Sequence, residues 1–225
     1  MNATLDPKQV ADPHAGTPVL QAGAPLDKAK LAVVLLHGRG ASAEDILGLG
    51  EAFSVPDVAF IAPQAAGHTW YPQSFLAPRE ANEPYLSSAL AKIESIVASL
   101  AKKGFGPDRI VIAGFSQGAC LSTEFVASHP AKYAGLIAFT GGLIGAPGTK
   151  LSGTGVSGSP LAGTPALLLS GDPDPHVPWT RVEESAAMLR QLGAEVTTKR
   201  YPGRPHTITQ DEIWLGRDLL RQALA

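Results

Sequence analysis

One cysteine, Cys120, stands in the 225 residues, so no disulfide can form within the chain. A lone thiol fits a reducing compartment. Aromatic residues amount to only 6% and charged residues to 17%, with a formal charge of -2. No basic stripe is available to neutralise phosphates, which excludes a nucleic-acid binder. No run of one sign is long enough to act as an interaction tail. Long hydrophobic runs are also missing, so no membrane span is expected. The segment from Met1 to Asp12 lacks an apolar stretch and does not read as a secretory leader. These absences point to a soluble cytoplasmic protein. The composition is compatible with a homodimer but carries no signal for one.

What is present is an alternation of short apolar runs with helical patterns. Leu31–Leu36 is continuously apolar, as a strand buried on both faces should be. Val58–Ala62, Arg109–Ala113, Leu136–Phe139, Ala166–Leu169 and Glu195–Tyr201 follow, and Pro18–Gln21 is a candidate edge strand. A helix is predicted over Pro84–Lys103, where Leu86, Leu90, Ile93, Ile96, Val97 and Leu100 form one stripe and Gly104 marks the stop. Further helices are predicted over Ala43–Phe53, Gln117–Ser128, Thr180–Leu192 and Ile208–Leu224. This order predicts an α/β fold, a mainly parallel sheet with helices on both faces. Residues 1–225 are read as one domain without a large cap, residues 1–16 as a flexible N-terminal extension, and residues 145–163 as a Gly/Ser-rich loop. That loop is too polar to form a helical cap, so an open site is expected.

Gly114-Phe-Ser116-Gln-Gly118 follows one predicted strand and opens a helix. Glycines on both sides of a serine permit a sharp strand-to-helix turn that projects the hydroxyl above the sheet. The helix start then sets backbone N–H groups near developing negative charge. A serine hydroxyl needs an adjacent base, and in such a fold the base follows both the nucleophile and the acid in the chain. Three histidines lie beyond Ser116: His129, His176 and His206. His129 ends the helix that begins at the serine and reads as a helix terminus. His206 is preferred over His176 because it follows the last strand, at the sheet edge where active sites gather. Asp172 or Asp174, both just past the strand Ala166–Leu169, would orient the imidazole, and spacing does not choose between them. The loop His37-Gly-Arg-Gly40 closes the first long strand. Its Arg39 amide and the Gln117 amide are the candidate oxyanion donors. His37 is expected to be structural and Cys120 to be a buried small side chain.

Taken together, Leu36-His-Gly-Arg-Gly40, Gly114-Phe-Ser-Gln-Gly118, Gly171-Asp-Pro-Asp-Pro-His-Val-Pro178 and the His206 loop resemble the phospholipase/carboxylesterase family of α/β-hydrolases. The likeness spans roughly residues 31–220. It implies Ser116 as nucleophile, Asp174 as the acid and His206 as base, with the oxyanion amides on Arg39 and Gln117. It also implies hydrolysis of a small-molecule ester through an acyl-enzyme, with no cofactor and no metal. A thioester or lysophospholipid is the alternative substrate on the same residues, and a non-catalytic ligand-binding protein is the alternative of another class. The chain departs from the family at Arg39, where an apolar residue is common. It departs again at Trp70-Tyr-Pro72, where Trp-Phe-Asp is common, and at Ser170, where His is common. Trp70, Tyr71, Phe75, Leu76, Phe115, Leu143 and Trp179 are the expected pocket walls.

Overall fold

A computed structural model of the chain describes residues 12–225. Strand β2 (Leu31–Leu36) is buried at every position, and so is β3 (Val58–Pro63). Such runs form strands because both faces of the pleat meet apolar partners. With β1 (Val19–Gly23), β4 (Ile110–Phe115), β5 (Gly135–Phe139), β6 (Pro165–Asp172) and β7 (Glu195–Pro202) they build one seven-stranded sheet. Its order is β1-β3-β2-β4-β5-β6-β7. β1 runs antiparallel to β3, and every other pairing is parallel.

Among the described residues five α-helices cover the two faces: α1 (Ala43–Phe53), α2 (Tyr85–Ala101), α3 (Gln117–Ser128), α4 (Trp179–Gln191) and α5 (Gln210–Ala223). Alternate residues of β2 sort them. Ala32, Val34 and Leu36 belong to the core shared with α2, α3 and α4, while Leu31, Val33 and Leu35 pack with Ile46 and Phe53 of α1 and Leu219 and Leu220 of α5. A period of two along the strand therefore feeds two separate apolar layers. Two helix starts carry reciprocal caps. Ser42 accepts from the Asp45 amide while Asp45 accepts from the Ser42 amide at 2.8 Å, and Thr209 with Glu212 does the same for α5.

After β2 the chain adds β3 on one side of it and then crosses back to add β4 on the other, and the helices that follow β2 and β4 lie on opposite faces. A crevice opens between the carboxyl ends of strands where the order reverses in this way. The turns after β2, β4, β6 and β7 all reach that edge.

Two segments outside the regular elements are held to the body. Residues 1–11 lie outside the described residues; residues 12–16, expected to be a flexible extension, are pinned at His14, although Asp12, Ala15 and Gly16 are exposed. His14 is fully buried, its amide donates to Ser88 Oγ at 2.9 Å and its Nε2 to the Trp70 carbonyl at 3.0 Å. A buried imidazole satisfied on both nitrogens (Nδ1 accepts the Ala66 amide at 3.0 Å) holds the segment to the body. Residues 145–163 contain no helix or strand, yet they are anchored. Leu161 is fully buried, and Ser152 donates to the buried carboxylate of Glu124, which also accepts from the Ile144 amide at 3.0 Å and pairs with Arg79.

Candidate active site

Ser116 stands between β4 and α3 with φ 54° and ψ -116°, a conformation that L-residues rarely adopt. The surroundings enforce it. The Ser116 amide donates to the Phe139 carbonyl at 2.9 Å, and the Cys120 amide donates back to the Ser116 carbonyl at 2.9 Å. The turn is tight because Gly114 and Gly118 lack Cβ. One added at Gly118 would lie 2.0 Å from the Leu36 carbonyl oxygen, and one at Gly114 would lie 2.5 Å from Gly118.

The turn after β7 brings His206 to this serine. His206 Nε2 lies 2.8 Å from Ser116 Oγ, and Nδ1 lies 2.8 Å from Asp174 Oδ2. With the ring proton on Nδ1, the imidazole donates to the carboxylate and accepts from the hydroxyl. The Asp174 side chain has no exposed surface. Burial pushes its carboxyl up, but the His176 amide, the His206 ring and the Val177 amide all bond the charged form and together hold it below the ordinary carboxylate value. Asp172 points elsewhere and pairs with Arg200. Of the two aspartates, Asp174 is the one bonded to the His206 ring. His176 does not reach the serine; its ring packs edge-on to His206 with centroids 4.8 Å apart. His129 remains at the end of α3, stacked on Phe125.

Arg39 and Gln117 border the same cavity as Ser116 and His206. Neither backbone amide donates a hydrogen bond among the described residues. Their side chains have a different task. Arg39 donates to Thr69 Oγ1, to the Pro72 carbonyl and to the Gln73 carbonyl at 3.0, 3.0 and 2.8 Å. Gln117 accepts from the Trp70 amide at 2.9 Å and donates to the Tyr71 carbonyl at 2.8 Å. Both residues thereby fasten the loop 69–73 over the site. His37 is bonded to backbone, with Nδ1 donating to Gly38 O at 2.8 Å and Nε2 accepting from the Ala65 amide at 3.1 Å.

The cavity measures about 730 Å³, within the range of small-molecule sites. Of the expected walls, Tyr71, Phe75, Leu76 and Phe115 line it, joined by Gln73, Cys120 and Val177. Trp70, Leu143 and Trp179 do not. Trp70 is fully buried and donates its indole N–H to the His37 carbonyl at 2.9 Å, so it supports the loop from beneath. Leu143 is buried beside α4, its amide bonded to Ser185 Oγ at 2.8 Å. Trp179 borders a separate surface depression, where the Arg200 guanidinium sits 5.7 Å from its ring. Cys120 is 2% exposed, and burial pushes its thiol up to about 12, which keeps it protonated and unreactive. Among the described residues no three His, Cys, Asp or Glu side chains cluster so as to hold a metal ion.

Residues 19–221 match the sequence profile of the phospholipase/carboxylesterase family. The chain belongs to that family. Its fold is that of the α/β-hydrolases, and the proteins it resembles are named carboxylesterases and acyl-protein thioesterases. The crystal structure of a phospholipase/carboxylesterase from Dyadobacter fermentans is 45% identical and superposes with a TM-score of 0.85, covering 91% of this chain and 96% of that one. Esterase PE8 is 30% identical with a TM-score of 0.72 over 92% of this chain and 98% of its own. Acyl-protein thioesterase 1 of Gibberella zeae is 31% identical over 123 residues, which is 54% of this chain. The chain spans about half the length of that curated relative, 51%.

The departures from the family pattern now have places in the molecule. Arg39 uses its guanidinium inside the protein, on the loop that carries Trp70-Tyr-Pro72. Ser170 is fully buried and donates to the Gly171 carbonyl at 3.3 Å. The sequence carried no periodic signal for the role of Gln117 in that loop, because side chain-to-backbone bonds over 46 residues leave no local pattern.

Proposed function

We propose that this family member hydrolyses carboxylic esters of short to medium acyl chain through an acyl-enzyme on Ser116. The observation that carries the reading is the unbroken hydrogen-bonded sequence from the Ser116 hydroxyl through the His206 imidazole to the Asp174 carboxylate. His206 takes the proton as Ser116 Oγ attacks the carbonyl carbon. Asp174, charged and buried, holds the ring in the tautomer that leaves Nε2 free to accept. The amides of Arg39 and Gln117 receive the oxyanion, assisted by the N-terminus of α3. His206 returns the proton to the leaving alcohol. Water then attacks the acyl-enzyme, with the same imidazole as base. The apolar walls Phe75, Leu76, Phe115 and Val177 suit an acyl chain, and the cavity volume sets its modest length. A cytoplasmic setting accords with the single buried thiol.

The test is a substrate panel run on wild type and on Ser116→Ala. A short aryl ester should be turned over by wild type and lose at least about 10³-fold in kcat on the substitution. A fluorophosphonate should label wild type at Ser116 and leave the variant unlabelled. Undiminished turnover in Ser116→Ala ends the proposal. A preference for acyl thioesters or lysophospholipids over simple esters would keep the mechanism and replace the substrate. Absence of labelling in wild type would favour a ligand-binding protein instead.

A further inference from the structure

The loop that delivers His206 is the six residues 203–208 between β7 and the capping box of α5, and nothing in its sequence pattern explains how it stays in place. Arg204 lies two residues before the imidazole and is 7% exposed, although it does not border the cavity. Its Nη1 donates to the Pro205 carbonyl at 3.1 Å and also to the Thr207 carbonyl, so one nitrogen ties together the peptide groups on either side of His206. Its Nη2 donates to Thr140 Oγ1 at 2.8 Å, in the turn after β5. Thr140 is itself fixed, with φ 57° and its amide bonded to the Leu169 carbonyl at 2.6 Å.

Two further contacts complete the bracket. Glu212 Oε1 lies 3.4 Å from Arg204 Nη2 while Oε2 caps Thr209, so a fully buried carboxylate links the guanidinium to the start of α5. A Cβ on Gly171 would sit 2.6 Å from the Arg204 carbonyl oxygen, so the loop rests directly on the end of β6, just ahead of the Asp174 turn. The planar fork places one nitrogen on the two carbonyls and the other on Thr140, a fixed span that the single nitrogen of an ammonium does not cover. A buried guanidinium left without these acceptors would be costly.

We infer that Arg204 is a positioning residue for the reaction: it holds the backbone of His206 from both sides and so sets the imidazole at hydrogen-bonding distance from Ser116 and Asp174. This rests on His206 acting as the base. A misplacement of the base by about 1 Å costs on the order of 100-fold in rate without altering how substrate binds.

The experiment compares Arg204→Lys, Arg204→Ala and His206→Ala with wild type on one aryl ester, with thermal midpoints measured alongside. Arg204→Lys keeps the charge opposite Glu212 and should melt near wild type, yet lose roughly 10- to 100-fold in kcat with KM unchanged. Arg204→Ala should lose at least as much, and non-denaturing guanidinium ion should restore part of its kcat and of its fluorophosphonate labelling. A folded Arg204→Lys variant with wild-type kcat overturns the inference, as does a loss in kcat matched by an equal rise in KM. Failure of Arg204→Ala to respond to guanidinium also counts against it, or its failure to fold when Arg204→Lys is fully active. The two readings separate at His206→Ala. If that variant keeps its activity, the base assignment fails; if it is dead while both Arg204 variants are active, only the bracket fails.

Discussion

At the residue scale, the side chains with the largest consequences are those whose chemistry is used inside the protein. Arg39 sits at the rim of the cavity and has the charge to attract an anionic substrate. Its guanidinium is committed instead to Thr69, Pro72 and Gln73. Removing it should loosen the loop that seats Tyr71 and Phe75, whatever the charge of the ester. Arg39→Met is therefore expected to lower kcat/KM for neutral and anionic esters by the same factor, only several-fold because the three bonds are exposed and water replaces them in part. Steady-state kinetics on a matched pair of esters decides the point. A loss confined to the anionic ester would mean that the guanidinium faces substrate.

At the element scale, strand and helix positions were legible because burial on two faces and on one face leave different periods. Leu31–Leu36, Ala43–Phe53 and Gln117–Ser128 have the predicted bounds, and β6 merely extends three residues past Leu169. Trp70 shows why loops were harder. An aromatic residue outside any periodic segment reads equally as a pocket wall or as a plug, and only the His37 carbonyl, 33 residues away, makes it a plug. Close approach of elements was partly legible through glycine. Gly118 lets α3 pass against the end of β2, where any Cβ would meet the carbonyls of Leu36 and His37 at 2.0 and 2.6 Å. Neither neighbour is a flexible side chain. Gly118→Ala should cost about 1–3 kcal/mol of stability, the usual toll of overpacking, and lower kcat further by displacing Ser116. Gly48, exposed within α1 with nothing within 4 Å of its absent Cβ, provides the contrast. Gly48→Ala should raise stability by about 0.5–1 kcal/mol and leave kcat alone. Denaturant melts and kinetics on the two variants check both signs, and a neutral Gly118→Ala would mean that the helix start can shift without harm.

At the scale of the whole molecule, two buried imidazoles couple folding to acidity in a range that the carboxylates do not reach. Burial lowers the pKa of His14 below its ordinary 6.5, outweighing the Trp70 carbonyl and Asp12, which favour the charged ring. Burial lowers that of His37 in the same way, against the Gly38 carbonyl. Each ring accepts an amide hydrogen on one nitrogen, from Ala66 and Ala65 respectively, and protonation would destroy that bond. A group whose pKa is depressed by folding adds stability above its unfolded value, and that contribution is lost as pH falls toward the folded value. In the unfolded chain both rings begin to take up protons below about 6.5, while in the native protein they stay neutral, so unfolding binds protons there. The depressed carboxyl of Asp174 acts in the same direction but only as pH falls below its ordinary 3.8. Thermal midpoints should accordingly decline between pH 7 and pH 5, well above the acid range of the carboxylates. His14→Gln should be less stable at pH 7 and show a shallower decline, because the difference between the two proteins shrinks as wild type loses its neutral-ring advantage. Calorimetry of both proteins across that range measures it, and a midpoint that holds level or rises on acidification from pH 7 to pH 5 would show that these rings take up protons without unfolding the segments they pin, residues 12–16 and the turn after β3.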